Sequence, residues 1–198
     1  MACDRRAFLA LIVLPALIAF APLAARAGDD EVVAIVRALQ DRMLEVVRAA
    51  ADWTPRRRFE ALRPAIGASF DLAFMAKAAY GPGFDDLPSA QRDEWVAAFG
   101  DYAAATYAQR LGGFRAKNFE RDAHVTPRED MLVVSTRLVP LEGEPVPVDY
   151  VLRATGGGWR IVDILANGSI SELTQWRRAL RGQPAGELRK RTEFMLTP

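Results

Sequence analysis

The chain has 198 residues and a formal net charge of +1, so it lacks the surplus of basic residues that is typical of nucleic-acid-binding proteins. Its single cysteine, Cys3, excludes a disulfide framework and thiolate metal sites from everything that follows it. The length is enough for one domain with a sizeable core, which must hold the fold together without covalent crosslinks.

A secretory signal peptide is predicted at the N-terminus. Arg5-Arg6 precede an uncharged apolar run over residues 7–25, and the small residues of Ala25-Arg26-Ala27 surround a cleavage point. This order of a positive start, an apolar stretch and a small-residue exit is typical of export signals. We expect residues 1–27 to be removed, which leaves residues 28–198 as a single domain in the periplasm.

A membrane anchor is the alternative for the same segment, because its length approaches the roughly 20 apolar residues that span a bilayer. Pro15 and Pro22 interrupt the run, which favours cleavage. The stretch Asp4-Arg5-Arg6-Ala7-Phe8-Leu9 also resembles a twin-arginine export box. Export is therefore expected by the Sec route or by the twin-arginine route.

The first half of the remaining chain is predicted to be helical. Apolar residues recur at helical spacing from Val32 to Val47, which predicts an amphipathic helix of about five turns with Asp29 or Asp30 as its cap. A threonine followed by a proline marks the start of the second helix, and breaks that contain glycine mark the ends of the helices that follow. These helices are predicted at Thr54–Gly67, Asp71–Ala79 and Pro88–Gly113.

The second half alternates apolar and polar residues with the period of β-strands. Four strands are predicted, at residues 119–126, 132–138, 148–153 and 159–165, followed by helices at Ile170–Arg181 and Gly186–Met195. Helices followed by an antiparallel meander predict the α+β class. We expect N-terminal helices packed on a curved antiparallel sheet of about four strands, an NTF2-like cone with an apolar interior, and C-terminal helices.

Motifs of catalysis are few in this sequence. The only histidine, His124, falls in a predicted edge strand, and Gly156-Gly157-Gly158 joins two strands, as a hairpin turn does and a phosphate-binding loop does not. One enzymatic alternative stays open, because cone-shaped α+β folds can pair a carboxylate base with a tyrosine. Asp163 with Tyr102 or Tyr107 can imitate that pair and make an isomerase-like enzyme; hydrogen bonding to a loop is the structural alternative for Asp163.

Five short segments, in a fixed order, carry a resemblance to a known family. They are Phe70-Asp71-Leu72-Ala73-Phe74-Met75-Ala76 with Gly81, Leu87-Pro88-Ser89-Ala90-Gln91-Arg92, Phe99 to Leu111 with Thr106-Tyr107-Ala108, Trp159-Arg160-Ile161-Val162-Asp163-Ile164, and Gly168-Ser169-Ile170-Ser171 with Arg177. Together they resemble the MlaC family of periplasmic phospholipid-binding, toluene-tolerance proteins, over roughly residues 30–195. The order and spacing of the segments carry the resemblance more than any one motif does.

Two segments are similar to one branch of that family. Asn167-Gly168-Ser169-Ile170-Ser171-Glu172-Leu173 and the region from Phe114 to Glu120 resemble the hopanoid-biosynthesis-associated members. The similarity implies a polycyclic lipid as an alternative cargo to a phospholipid.

The resemblance implies a carrier and not an enzyme, with no metal or other cofactor and with bound lipid as its cargo. Such a carrier shuttles a phospholipid or hopanoid between an inner-membrane ABC transporter complex and an outer-membrane lipoprotein complex, and so serves the lipid asymmetry of the outer membrane. A non-lipid periplasmic adaptor with a filled core is a further alternative.

A lipid carrier needs a sealed apolar slot. Each buried methylene contributes about 0.8 kcal/mol, so exposing a chain of about 16 carbons to water costs on the order of 12 kcal/mol. The lining is predicted from apolar positions in and near the segments that resemble the family. It consists of Phe74, Met75, Phe99, Tyr102, Tyr107, Val148, Tyr150, Ile161, Val162, Ile164 and Ile170.

Overall fold

The computed structural model describes residues 23–197 of the chain. Most of the predicted signal peptide lies outside these residues, so its cleavage and the division at residue 27 stay predictions. The six helices are α1 (Leu23–Arg48), α2 (Pro55–Ser69), α3 (Leu72–Tyr80), α4 (Ser89–Gly112), α5 (Glu172–Leu180) and α6 (Ala185–Leu196). The six strands are β1 (Ala116–Phe119), β2 (His124–Arg128), β3 (Met131–Pro140), β4 (Val146–Thr155), β5 (Gly158–Ala166) and β6 (Ile170–Ser171).

Capping residues fix the starts of two helices. The Thr54 hydroxyl accepts a hydrogen bond from the backbone N–H of Arg57 at 3.2 Å, and Pro55 occupies the first helical position of α2. The Asp71 carboxylate caps α3 in the same way. At α1 the prediction was wrong: Asp29 and Asp30 lie inside the helix, because the alanine-rich stretch before them has high helix propensity and continues it back to Leu23.

The sheet is antiparallel, and its strands run in the order β1-β3-β4-β5-β6, with β2 also paired to β3. The predicted strand over residues 119–126 is divided into β1 and β2. Five steps separate Phe119 from His124, whereas their partners Leu138 and Ser135 are three steps apart on β3. The two extra residues lie between β1 and β2 and do not pair with β3. The α+β class is confirmed, and the strand count is six instead of about four.

The core lies between the helices and one face of this sheet. Its centre is a group of aromatic rings in which Trp95 stacks on Phe99 at 5.6 Å and Phe99 meets the edge of Trp176 at 5.3 Å. A second, smaller hydrophobic cluster is formed by the buried residues Leu44, Val47 and Ala116. It is completed by the partly buried side chains of Leu111, Phe114, Phe119 and Leu138. This second cluster lies beside the candidate site.

Candidate functional site

A cavity of about 220 Å³ lies between α1, the end of α4, the sheet and the start of α5. Its walls are apolar except for two tyrosines and one ion pair. It is lined by Met43, Leu44, Val47, Tyr107, Arg110, Leu111, Phe114, Ala116, Phe119, Leu138, Val148, Tyr150, Ile164, Ala166 and Glu172.

The cavity separates the two hydrophobic clusters. Met43, Tyr107, Tyr150 and Ile164 belong to the main core, whereas Leu44 and the rest of the second cluster form the opposite wall. The space is therefore enclosed by packed side chains on both sides. An apolar chain entering it would contact hydrocarbon almost everywhere, which favours binding by burial of apolar surface.

The two charges in the wall neutralise each other. Arg110 forms an ion pair with Glu172, whose side chain is only 10% exposed. The Tyr107 hydroxyl donates a hydrogen bond to the other carboxylate oxygen of Glu172 at 2.5 Å. Burial, reinforced by the negative charge of Glu172, raises the pKa of Tyr107 well above its ordinary value, so the hydroxyl stays protonated. Glu172 also occupies the first turn of α5, where the helix dipole favours a negative charge.

The second tyrosine of the wall, Tyr150, is held by a hydrogen bond to its hydroxyl group from the side away from the cavity. The Gln40 side-chain amide donates to the Tyr150 hydroxyl at 3.3 Å and to the Thr136 hydroxyl at 3.1 Å. Thr136 in turn donates to the carbonyl oxygen of Val148 at 2.9 Å. Burial raises the pKa of Tyr150 well above its ordinary value, so this hydroxyl also stays neutral. The cavity thus offers hydrogen-bonding groups without a net charge.

The predicted lining residues fall into three groups. Tyr107, Val148, Tyr150 and Ile164 come together in the cavity wall. Four others are buried elsewhere: Met75, Phe99 and Ile161 belong to the main core, and Val162 lies 2% exposed at a break in the β4–β5 register. The remaining three are more exposed: Phe74 packs under the Arg153 guanidinium at 4.9 Å, Tyr102 faces α6, and Ile170 is 47% exposed.

The carboxylate–tyrosine pair considered from the sequence does not form. Asp163 accepts hydrogen bonds from the Ser171 hydroxyl at 2.6 Å and from the backbone N–H of Leu173 at 3.0 Å, and it does not line the cavity. The carboxylate beside Tyr107 is Glu172 instead, and its ion pair with Arg110 holds it in place. Arg110 and Glu172 were not predicted from the sequence: both lie in segments that resemble the family, and neither carries a local signal of a functional role.

Residues 23–197 lack two features that would indicate other kinds of site. No group of histidine, cysteine, aspartate and glutamate side chains there could hold a metal ion. Nor is any helix of that region long and apolar enough to cross a membrane.

Fold and site together define a class: α+β proteins with an apolar cavity between their helices and an antiparallel sheet. The family model described as MlaC protein matches residues 37–184, and the chain therefore belongs to the MlaC family. This confirms the resemblance, while the hopanoid-associated branch stays a prediction.

One solved structure extends the comparison. The chain is similar to a phospholipid-binding protein from Ralstonia solanacearum, solved in complex with a phospholipid, with 18% sequence identity and a TM-score of 0.64. The match covers 83% of this chain and 98% of that one, and at this identity it shows a shared fold. No curated protein matches the sequence.

Proposed function

We propose that this protein is a lipid carrier that takes the acyl chains of its cargo into the apolar cavity. The observation that carries the proposal is the cavity itself, an almost wholly apolar space between two hydrophobic clusters in a chain of the MlaC family. The phospholipid bound by the Ralstonia protein of the same fold supports the same chemistry here. Binding, and not catalysis, is the function that this site serves best.

We further propose that the carrier works in the periplasm, to which the predicted signal peptide directs it. There it would shuttle lipid between an inner-membrane ABC transporter complex and an outer-membrane lipoprotein complex. Lipid needs a carrier to cross water, because exposing each methylene of its chains to water costs about 0.8 kcal/mol of free energy. The support for these partners is the family to which the chain belongs.

The cargo is proposed to be a phospholipid, with a hopanoid-type lipid as the alternative. The test is mass spectrometry of lipid extracted from protein purified from its native host, followed by uptake from phospholipid vesicles with and without hopanoid. We expect a bound lipid whose mass and fragmentation are unchanged by incubation. Protein that contains no lipid and takes up neither kind would contradict the proposal, and chemical conversion of the lipid would revive the enzymatic alternative.

A matched pair of substitutions tests whether the cavity is the binding site. Ala166→Trp places an indole in the cavity wall at the end of β5, and we expect it to reduce lipid uptake at least about tenfold, since the space is filled. Ala154→Trp adds the same side chain to an exposed position on β4, outside the cavity, and should leave uptake unchanged. Melting temperatures of both variants establish that each is folded, and equal uptake by the two would place the lipid elsewhere.

A further inference from the structure

A polar cleft of about 260 Å³ lies beside the apolar cavity, between α1 and β1. Leu44 and Phe119 line both spaces, so these two side chains form the partition between them. Arg37, Arg48 and Arg121 lie along the cleft, which we term the arginine cleft. A ligand with an apolar part and an anionic part would meet the matching surface on each side of this partition.

The charge of the arginine cleft is positive. Its three arginines are opposed by two carboxylates, Asp41 and Glu120, and Glu120 also lies 3.9 Å from the guanidinium of Arg137. Among residues 23–197, no carboxylate lies within salt-bridge distance of Arg37 or Arg48. The guanidinium of Arg37 donates only to the backbone carbonyl of Arg121, at 3.0 Å. Arg37 and Arg48 are therefore available to an anion.

Helix geometry places Arg37, Arg48 and Leu44 on one face of α1. Arg37, Leu44 and Arg48 follow one another at i, i+7 and i+11 along α1, which places them on the same face of the helix. Leu44 lies 6% exposed between the two arginines. The two arginines, about 16 Å apart along the helix axis, thus lie on either side of the side chain that closes the apolar cavity.

A buried polar contact also crosses the partition. Gln40, which is 4% exposed, lines the arginine cleft and donates to the hydroxyl of Tyr150, which is 1% exposed and lines the apolar cavity. In the described part of the chain no group accepts the proton of that hydroxyl. A buried hydroxyl with an unused proton favours a ligand oxygen at this boundary.

We propose that the arginine cleft binds the anionic phosphate of a lipid whose acyl chains occupy the apolar cavity. This inference rests on the proposed function and adds the place where the head group binds. A guanidinium group matches the geometry of phosphate oxygens, to which arginine donates paired hydrogen bonds, and Arg37 and Arg48 offer one on each side of Leu44. The Tyr150 hydroxyl is placed to donate to an ester oxygen between phosphate and chains. Lipids without a phosphate use the apolar cavity alone.

The test compares two lipids with the same acyl chains, phosphatidylglycerol and diacylglycerol. The double variant Arg37→Gln/Arg48→Gln should lose about tenfold or more in affinity for phosphatidylglycerol, because either guanidinium that can meet the phosphate is removed, and should bind diacylglycerol as the wild type does. The control is Arg42→Gln on the same helix, which pairs with Glu45 at 2.6 Å outside the cleft and should change neither affinity. Added salt should weaken only the phosphatidylglycerol complex.

Three outcomes separate this inference from the carrier function. A double variant that binds both lipids as tightly as the wild type overturns the inference and leaves the carrier function standing. A wild type that binds neither lipid overturns both. Inorganic phosphate alone is the third arm: if it raises the melting temperature of the wild type and not of the double variant, the cleft serves free phosphate, and the head-group assignment is wrong. If the double variant melts early, Arg48→Gln alone repeats the comparison.

Discussion

Arg58 joins the loop after α1 to the end of α4 through backbone carbonyls. Its half-buried guanidinium donates to the carbonyl oxygens of Ala108 at 3.0 Å, Ala50 at 3.1 Å and Trp53 at 2.7 Å. Replacement with Met keeps the apolar stem and leaves these carbonyls without their donor. We expect Arg58→Met to lower the free energy of unfolding by about 2–4 kcal/mol, measured by urea denaturation.

The matched control for this arginine is Arg56→Met. Arg56 pairs with Glu193 at 2.7 Å, but both side chains are more than half exposed, so the expected loss is below about 1 kcal/mol. Gly112→Ala tests the same junction from the other side, because a Cβ there would lie 2.6 Å from the guanidinium of Arg58. Equal losses in Arg56→Met and Arg58→Met would show that the carbonyl contacts contribute little.

The two tyrosines of the cavity predict how stability depends on alkaline pH. Burial raises the pKa of Tyr107 and of Tyr150 above the ordinary value of 10.0, so the native state holds these protons more tightly than the unfolded chain does. Their contribution to stability is complete below pH 10 and decreases above it, by up to about 1.4 kcal/mol per pH unit for each tyrosine. Urea denaturation at a series of pH values above and below 10 should show this loss.

Phenylalanine substitutions test whether the two tyrosines cause the loss of stability above pH 10. Tyr150→Phe keeps the ring in the core and removes the ionisable hydroxyl, so the decrease in stability above pH 10 should be shallower than in the wild type. Tyr107→Phe should likewise make the decrease in unfolding free energy above pH 10 shallower. If the wild type and both variants lose stability equally between pH 10 and 12, groups other than these tyrosines control the alkaline transition.

At the scale of the elements, the features that follow from neighbouring residues were predictable. Thr54 and Asp71 accept hydrogen bonds from residues three positions later, so the starts of α2 and α3 are visible in the sequence. The division between β1 and β2 depends on their register with β3, which no local pattern contains. Ile170 was predicted to begin a helix, but it pairs with Ala166 as part of β6, and Ser171 caps α5 after it.

Asp163 attaches α5 to the sheet and supplies a prediction at this scale. Its carboxylate accepts from the Ser171 hydroxyl, the Leu173 backbone N–H and its neighbour Ile164, at 2.6 to 3.0 Å. Asp163→Ala should cost about 1–3 kcal/mol in unfolding free energy, because partly buried donors lose their acceptor. Lipid affinity should also fall, since Glu172 follows directly at the start of α5 and lines the cavity.

Asp149→Ala is the control for that change. Asp149 is also half-buried, lies on the neighbouring strand β4 and does not line the cavity. We expect it to change unfolding free energy and lipid affinity little. Amide hydrogen exchange within α5 gives the direct measurement: it should accelerate in Asp163→Ala and stay at the wild-type rate in Asp149→Ala. Unchanged exchange in both variants would mean that the helix is held by its apolar contacts alone.

At the scale of the whole molecule, the class of fold was predictable and the cavity only in part. Apolar strand residues such as Val148 and Ile164 can be assigned to an inner face by alternation, yet Val162 lies where the register between β4 and β5 shifts. Whether a buried residue contacts a neighbour or a space depends on how the helices meet the sheet. Arg110 and Glu172 meet across 62 residues of sequence, and neither carries a local signal of that contact.

The position of the cavity between a large core and a small cluster predicts which wall moves when lipid enters. A volume of about 220 Å³ lies below the roughly 300–1,000 Å³ of ordinary ligand sites, so loading requires expansion. Strand β4 is paired on both sides and contributes Tyr150 to the main core. By contrast β1 is four residues long, pairs only with β3 and belongs to the second cluster. We therefore expect the part of the second cluster that residues 111–119 form to be the wall that moves.

Hydrogen exchange of lipid-free and phospholipid-loaded protein measures this directly. In the lipid-free protein, amides of residues 111–119 should exchange faster than those of β4, because few packed contacts oppose their local opening. Loading should slow exchange in residues 111–119, since bound cargo packs against this wall and opposes its local unfolding, and should leave β4 nearly unchanged. Protection that appears instead in α2 or α6, with residues 111–119 unaffected, would place both the entrance and the cargo on the other side of the core.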